Sequence, residues 1–289
     1  MYETFYGFSE KPFNQTPNHR FFFPSEKHTD ALNSLVYTIS ERRGFVVLTG
    51  EIGAGKTTVC RTLMSRLDAD TQIAIIRNTH LTPKELIQLI LEELEVDYKP
   101  GTKSQLLSQL NEYLVDQLVM GRNVVLLIDE AQNLAPKVLE EVRMISNLET
   151  ETEKLIQIIM MGQPELWRKL NLHNLRQLKQ RVATFFHLEP LNEEETRLYI
   201  KHRLEHVSGG PVDIFTADAM RRVHAYSGGV PRLINSICDA ALLTGYVNER
   251  RTVDSSMIDE VAAEIPSVDA HPFPFESPLG TTERAETAL

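Results

Sequence analysis

Residues 45–58 constrain the fold of this chain more than any other stretch. An apolar run rich in β-branched residues, 45–49, is followed by Gly50-Glu-Ile-Gly-Ala-Gly-Lys-Thr-Thr58. The apolar run predicts a buried parallel strand, and the residues after it have the G-x-x-x-x-G-K-T spacing of a phosphate-binding loop. Helical spacing in 58–67 would place bound phosphates at a helix N-terminus. A chance glycine-rich turn would not need a strand before it and a helix after it.

Each residue type in this loop has a physical reason. Glycines at 50, 53 and 55 let the backbone turn tightly, so that successive N–H groups face one concavity. Lys56 adds a positive charge for the β- and γ-phosphates, and the Thr57 hydroxyl can coordinate Mg²⁺. We therefore predict a nucleoside triphosphate and Mg²⁺ at this loop. The predicted nucleotide-binding residues are Gly50, Glu51, Ile52, Gly53, Ala54, Gly55, Lys56, Thr57 and Thr58.

An acidic pair follows a later apolar run. Residues 124–128 are aliphatic and lead directly into Asp129-Glu130, the pattern called Walker B. Asp129 would hold the Mg²⁺ shell and bind the nucleotide through it, and Glu130 would polarise the attacking water as general base. A strand that simply meets solvent at two acids would look the same in isolation. The phosphate-binding loop about 70 residues upstream favours the catalytic interpretation.

Gln163 is a further candidate, because it follows the predicted strand 155–161 and Gly162. A polar residue at a strand tip beside the phosphates can sense the γ-phosphate or orient water. An ordinary turn residue before the helix-starting Pro164 explains the same pattern equally well. Both interpretations stay open at the level of sequence.

Five apolar runs alternate with helical patterns along the chain, at 45–49, 72–77, 124–128, 155–161 and 184–188. This alternation predicts an α/β fold of three layers, in which a parallel five-stranded sheet has helices on both faces. From Asn192 onward the pattern is helical, which predicts a small all-α lid domain. The predicted helix starts are Ser25, Thr82, Thr102 or Ser104, Asn192, Thr216, Pro231 and Ser255.

These patterns divide the chain into four predicted parts. Residues 1–43 form an aromatic segment and a first long helix that pack on the core, 44–190 form the nucleotide-binding core, and 191–265 form the helical lid. Residues 266–289 hold four prolines and too few apolar residues to fold alone, so we expect a disordered tail. The aromatic residues of 1–43 have two open uses: they cover one edge of the sheet, or they form a flat wall for a nucleotide base.

Charge and composition narrow the classes of partner and compartment. The net charge is −10, which argues against a tight, unspecific grip on nucleic acid, although a local basic patch would still bind it. The two cysteines, Cys60 and Cys238, lie in apolar helical contexts and indicate a reducing compartment. We see no run of 18 apolar residues and no secretory signal. We therefore expect a cytoplasmic protein without a membrane span.

Several motifs together resemble one group of AAA+ ATPases, the ExeA/GspA-type secretion ATPases. They are the aromatic segment 2–17, Arg42-Arg43-Gly44-Phe45, Asp129-Glu130-Ala131-Gln132-Asn133-Leu134, Gly162-Gln163-Pro164-Glu165-Leu166, Arg176-Gln-Leu-Lys-Gln-Arg181 and Gly228-Gly229-Val230-Pro231-Arg232. The likeness spans about residues 1–265, and the combination is far more specific than the phosphate-binding loop alone.

The resemblance assigns further roles at the site, where it implies bound ATP and Mg²⁺. Gln163 falls on the sensor-1 position, and Arg232 falls on sensor 2 at the start of a lid helix. Arg181 falls where such proteins place a residue that reaches a neighbouring subunit's nucleotide, although surface charge on an amphipathic helix explains it equally well. The resemblance also suggests that Asn78 holds Glu130 inactive until a partner binds.

The resemblance implies a homo-oligomer, a ring or a filament, that drives or regulates assembly of a secretion, pilus or exopolysaccharide system. Larger members of the family continue into a membrane span and a peptidoglycan-binding domain, whereas this sequence ends in a short polar tail. We therefore expect a short soluble member, of the kind found with pilus, exopolysaccharide or exosortase-type loci, that works through a protein partner.

Two other classes of function remain as alternatives. One is a DNA-associated AAA+ ATP switch of the transposition-regulator type, which shares this core. The acidic balance and the absence of a recognisable helix-turn-helix or basic extension disfavour it. The other is a scaffold whose nucleotide is structural and never hydrolysed, and Glu130 argues against that.

Overall fold

The fold is built on one parallel sheet, described here from a computed structural model that covers residues 1–265. The predicted tail at 266–289 lies outside the described residues. The strands are β1 Phe45–Gly50, β2 Gln72–Ile76, β3 Val124–Ile128, β4 Gln157–Gly162 and β5 Thr184–Leu188. Their order across the sheet is β2-β3-β4-β1-β5, and every neighbouring pair is parallel. The predicted α/β fold with a five-stranded parallel sheet is therefore confirmed.

The apolar runs form strands because both faces of the sheet are covered. In the central strand β1, Phe45 and Val47 belong to the hydrophobic core on one face, whereas Val46 and Leu48 belong to the core on the other. Side chains alternate between faces along a strand, so a strand buried on both sides needs apolar residues throughout. All six residues of β1 are buried.

The helices supply the outer layers of the sheet and a separate bundle after it. Among residues 1–265 the α-helices are α1 Tyr2–Tyr6, α2 Glu26–Ser40, α3 Lys56–Met64, α4 Pro83–Glu93, α5 Lys103–Val119, α6 Pro136–Ile145, α7 Pro164–Leu170, α8 Arg176–Lys179, α9 Glu193–Ser208, α10 Ala217–Ser227, α11 Pro231–Val247 and α12 Ser255–Glu264. Helices α2 and α3 cover one face of the sheet. Helices α4 to α8 cover the other face.

Side-chain caps mark where six of the twelve α-helices within 1–265 begin. The side chains of Ser25, Thr82, Thr102, Asn192 and Thr216 each accept a backbone N–H in the first turn, as predicted. The predicted cap of the last helix is wrong by one residue. Asp254, not Ser255, accepts the Met257 N–H at 3.1 Å, because Ser255 already lies within the helix.

The aromatic N-terminal segment packs mainly against the C-terminal helices. Tyr2, Phe8, Phe13 and Phe21 are buried in one hydrophobic core with α9 to α12. The buried Arg203 of α9 fastens the segment by donating to Pro12 O at 2.5 Å. These four aromatics therefore complete the helical bundle and do not cover an edge of the sheet, which was one of the two predicted uses.

None of the helices within 1–265 is both long and apolar enough to cross a lipid bilayer.

Candidate nucleotide-binding site

The phosphate-binding loop joins β1 to α3 and has a conformation that only glycine adopts without strain. Gly53 and Gly55 have φ of 85° and 99°. A Cβ on Gly53 would lie 2.5 Å from the Arg232 Cβ, and one on Gly55 would lie 2.9 Å from His28 Nε2. A larger residue at either position would therefore push the loop away from its neighbours.

Lys56 is buried in the first turn of α3, and the loop itself holds its ammonium group. Nζ donates to Gly50 O at 2.7 Å and to Glu51 O at 3.0 Å. Burial lowers the pKa of Lys56, and the negative charges of Glu130 and Asp129 oppose that shift. The loop thus places a largely desolvated positive charge at the strand end, where it attracts an anion more strongly than an exposed lysine would.

Thr57 and Asp129 supply oxygen atoms of the kind that Mg²⁺ prefers. Thr57 is exposed to the cavity beside the loop. Asp129 is half-buried at the end of β3, and burial raises the pKa of its carboxyl group while Lys56 and Arg77 oppose the shift. Mg²⁺ is held in such sites by one or two protein oxygens together with phosphates and waters. The residues present fit that requirement.

Glu130 has a strained backbone, and its carboxylate is already hydrogen-bonded. Its φ of 50° and ψ of 37° lie in the left-handed region, which costs on the order of 1 kcal/mol for a residue other than glycine. The Gln132 amide Nε2 donates to Glu130 Oε2 at 2.6 Å. The Gln163 amide lies at 3.5 Å from the same oxygen, which brings the predicted sensor-1 residue to the predicted base.

Asn78 does not make the contact that the family resemblance suggested. Its side chain is exposed and accepts the His80 N–H at 3.1 Å. Within residues 1–265, the donors to the carboxylate of Glu130 are the amides of Gln132 and Gln163. The carboxylate of Glu130 is therefore held by Gln132, two positions after it, and not by Asn78, which follows β2.

The two predicted arginines lie in different places. The backbone N–H of Arg232, at the start of α11, donates to Gly53 O at 3.3 Å, so this helix begins directly against the phosphate-binding loop. Arg181 is exposed just after α8, and its charge acts on Glu149. The structure thus brings Arg232 to the loop and leaves Arg181 on the surface.

A cavity of about 340 Å³ opens beside Lys56, between the loop, the N-terminal segment and the helices α9 and α11. Its size is in the range of small-molecule sites. Predicted site residues that line it are Ile52, Gly53, Gly55, Lys56, Thr57, Thr58, Glu130 and Arg232. The remaining lining residues are Asn14, Gln15, Thr16, Pro17, Asn18, Phe21, Phe22, Phe23, His28, Leu191, Tyr199, Arg203, Pro231 and Asn235. Gly50, Glu51, Ala54, Asp129, Gln163 and Arg181 lie outside this lining.

The rings of Phe21, Phe22 and Phe23 give the cavity an aromatic side. This placement supports the second predicted use of the N-terminal aromatics, a flat apolar wall for a nucleotide base. The three rings come from the N-terminal segment, which precedes both α2 and the phosphate-binding loop in the chain.

Sequence reasoning missed His28, which contacts the backbone of the phosphate-binding loop. His28 is buried on α2, its Nδ1 lies 2.7 Å from Ser25 Oγ, and its Nε2 lies 2.9 Å from Ala54 O. Burial lowers the pKa of His28, which favours the neutral ring. The neutral ring accepts from the Ser25 hydroxyl and donates to Ala54 O. No local sequence pattern predicts the contact between His28 and Ala54, which are 26 positions apart.

A second group of missed residues joins the aromatic segment to the bundle at the cavity wall. Arg203 Nη1 donates to Tyr199 Oη at 3.0 Å, and Tyr199 Oη donates to Asn235 Oδ1 at 2.9 Å. The Arg203 guanidinium also lies 4.5 Å from the centre of the Phe21 ring, a cation–π distance. The one sequence signal for this network is that Arg203 falls on the apolar side of α9, where an arginine is unusual.

Comparisons with known proteins show which domain and which folds this chain resembles. A family model described as an AAA domain matches residues 39–170. The fold is similar to Cdc6p from Pyrobaculum aerophilum, at a TM-score of 0.61 and 18% identity over 82% of this chain and 68% of that chain. It is also similar to ORC2 from Aeropyrum pernix, at 0.65 and 13% over 89% and 72%, and to the Thermotoga maritima RuvB Holliday junction branch migration motor, at 0.58 and 17% over 87% and 72%. The chain therefore has an AAA+ fold, and residues 39–170 match the AAA domain.

A sequence relative narrows the resemblance. The chain is 41% identical over 269 residues to general secretion pathway protein A of Aeromonas hydrophila, an alignment that covers 93% of this chain and 49% of that protein. The predicted resemblance to the ExeA/GspA-type group is therefore confirmed over this shared length. The chain spans about half the length of this relative.

Proposed function

We propose that this chain binds ATP with Mg²⁺ and hydrolyses it. The observation that carries the proposal is that Lys56, Glu130 and Arg232 line one cavity, although they come from three separate parts of the chain. An ammonium, a carboxylate and a guanidinium around a small-molecule cavity are the groups that phosphoryl transfer to water needs. The rings of Phe21, Phe22 and Phe23, which line the same cavity, suit a purine base.

The proposed roles follow from the charge that develops during the reaction. The transition state spreads negative charge over the phosphate oxygens, and Lys56 and Arg232 offer positive charge placed in advance. Glu130 takes the proton of the attacking water, and Gln163 orients that water or senses the γ-phosphate. Thr57 and Asp129 would hold Mg²⁺, which supplies further positive charge to the phosphates when bound.

The contact between the phosphate-binding loop and the helical lid supports the idea that hydrolysis moves the lid. Because the Arg232 N–H donates to Gly53 O, a change in the loop or its ligand acts directly on the start of α11. The Gln15 side chain also donates to Arg232 O, at 3.4 Å, so the N-terminal segment meets the same point. We propose that hydrolysis moves the helical lid against the core.

We further propose a cytoplasmic homo-oligomer, a ring or a filament, that drives or regulates assembly of a secretion, pilus or exopolysaccharide system through a protein partner. The likeness to general secretion pathway protein A supports the pathway class. The two free, buried thiols of Cys60 and Cys238 fit a reducing compartment. The exposed Arg181 fits a residue that acts on a neighbouring subunit's nucleotide, because its planar, permanently charged group suits phosphate oxygens.

The function is tested by measuring phosphate release from Mg-ATP by the parent chain and by Glu130→Gln. We expect turnover by the parent and a loss of about 100-fold or more in Glu130→Gln with ATP binding retained, because the amide cannot accept the proton. Glu151→Gln, an exposed acid on a surface turn, is the matched control and should match the parent. Parental turnover in Glu130→Gln would show that the base is assigned wrongly.

A further inference from the structure

The carboxylate of Glu130 is held by a neighbour whose own position is fixed on its other side. Gln132 donates through Nε2 to Glu130 Oε2 at 2.6 Å, and its Oε1 accepts the Gln163 backbone N–H at 3.2 Å. Both ends of one amide are therefore used. The side chain of Gln132 forms a bridge between Glu130, two residues after β3, and Gln163, which directly follows β4.

The surroundings of Gln132 limit where this bridge can move. An added Cβ on Gly162 would lie 2.5 Å from Gln132 Oε1, so the amide lies directly against the end of β4. The partly buried Lys169 donates from Nζ to Gln132 O at 2.8 Å and to Leu134 O at 2.5 Å. The backbone and the side chain of Gln132 are thus both anchored to elements beyond the turn that carries Glu130.

The bridge leaves Glu130 directed at the nucleotide cavity. Glu130 lines that cavity while its Oε2 accepts from Gln132, so its other oxygen remains available to a water molecule. A free glutamate side chain samples several rotamers, and a general base acts only when its oxygen lies within hydrogen-bond reach of the proton that it takes. Holding the carboxylate in one of these orientations therefore favours the reaction.

We propose that Gln132 is a positioning residue, which keeps the carboxylate of Glu130 directed at the cavity and ties it to the end of β4. This inference rests on the proposed ATP hydrolysis. It gives Gln132 a role that acts through Glu130, with no contact to the nucleotide. It also means that Gly162 and Gln163, at the end of β4, help to set the position of the Glu130 carboxylate.

The central test compares Gln132→Met with the parent in steady-state ATP hydrolysis. Methionine keeps the length of the side chain and removes both hydrogen bonds. We expect kcat to fall by about 10- to 100-fold, the size of effect that misplacing a reacting group produces, with KM within about twofold because Gln132 does not line the cavity. Asn133→Ala, the exposed amide next in sequence, is the matched control and should keep the parental kcat.

A second variant approaches the same bridge from its other end. Gly162→Ala keeps Gln132 but adds a methyl group that would lie 2.5 Å from Gln132 Oε1 and 3.1 Å from Leu166 Cβ, so it should displace the amide and lower kcat in the same way. Because both changes break one bridge, the double variant should lose little more than either single variant. Additive losses in the double variant would overturn the proposal.

A readout that needs no turnover separates this inference from the proposed function. Amide hydrogen exchange at Gln163 should be faster in Gln132→Met than in the parent, because its N–H loses its acceptor. Unchanged exchange, or an active Gln132→Met enzyme with a kcat equal to or above the parental value, would overturn the role of Gln132. A parent chain that releases no phosphate would overturn the proposed hydrolysis, and the hydrolytic role of Gln132 with it.

Discussion

At the scale of single residues, burial favours the neutral form of three histidines, of which His28 lines the cavity of the site. Burial lowers the pKa of His28 beneath the phosphate-binding loop, and it also lowers the pKa values of His187 and His202. The unfolded chain takes up protons near the ordinary histidine pKa of about 6.5, before the folded chain does. The folded state therefore loses stability as the pH falls below that value.

The contribution of His28 to this pH dependence can be isolated with His28→Gln. The glutamine Nε2 can still donate to Ala54 O, but the side chain no longer titrates. We expect the melting temperature to fall less between about pH 7.5 and 5.5 in His28→Gln than in the parent, since one of the groups that resist protonation has been removed. Thermal melts at several pH values measure this. His173→Gln, at an exposed position, should follow the parent curve. An equally steep fall in His28→Gln would contradict a neutral His28.

At the scale of elements, local chemistry was enough to predict most strands and helix starts. Strand β5 has the predicted bounds, and β3 ends at the predicted acidic pair. Apolar runs and caps are properties of a few consecutive residues, so sequence reveals them. Strand β4 begins two residues later than predicted, because the Leu155 N–H is used by Leu148 O in the preceding turn. The cap predicted at Ser255 was wrong for a different reason, since Asp254 and Ser255 both have capping side chains and the sequence does not show which one is used.

Contacts between distant elements were the part that sequence could not supply. The sequence left two uses open for the aromatic segment of 1–43, a sheet edge or a nucleotide base, and did not predict its packing on the helical bundle. That packing involves Arg203 of α9, about 190 residues away. The support of the loop by His28 and the bridge made by Gln132 are likewise side-chain geometries between separate elements. The loop residues and Asp129-Glu130 were predictable because each motif is contiguous and has a chemical reason for its order.

At the scale of the whole molecule, the position of Arg181 suggests a site shared between copies of the chain. Arg181 is exposed and lies outside the lining of the cavity in its own chain, which fits the proposed action on a neighbour's nucleotide. Mixing Arg181→Ala subunits with Glu130→Gln subunits should restore part of the phosphate release, because some interfaces then combine an intact base with an intact arginine. Arg176→Ala, at an exposed position of the nearby helix α8, is the control and should be active alone. Mixtures as inactive as the separate variants would count against a shared site.

The most direct test of the whole account is calorimetric titration of the chain with Mg-ATP. We expect saturable binding in the range of about 1 μM to 1 mM that is typical of enzymes and their substrates. Lys56→Ala should bind about 10- to 100-fold more weakly, the effect of losing hydrogen bonds to one charged group. Absence of binding by the parent, whether as single chains or assembled, or equal affinity in Lys56→Ala, would contradict a nucleotide site built on this loop.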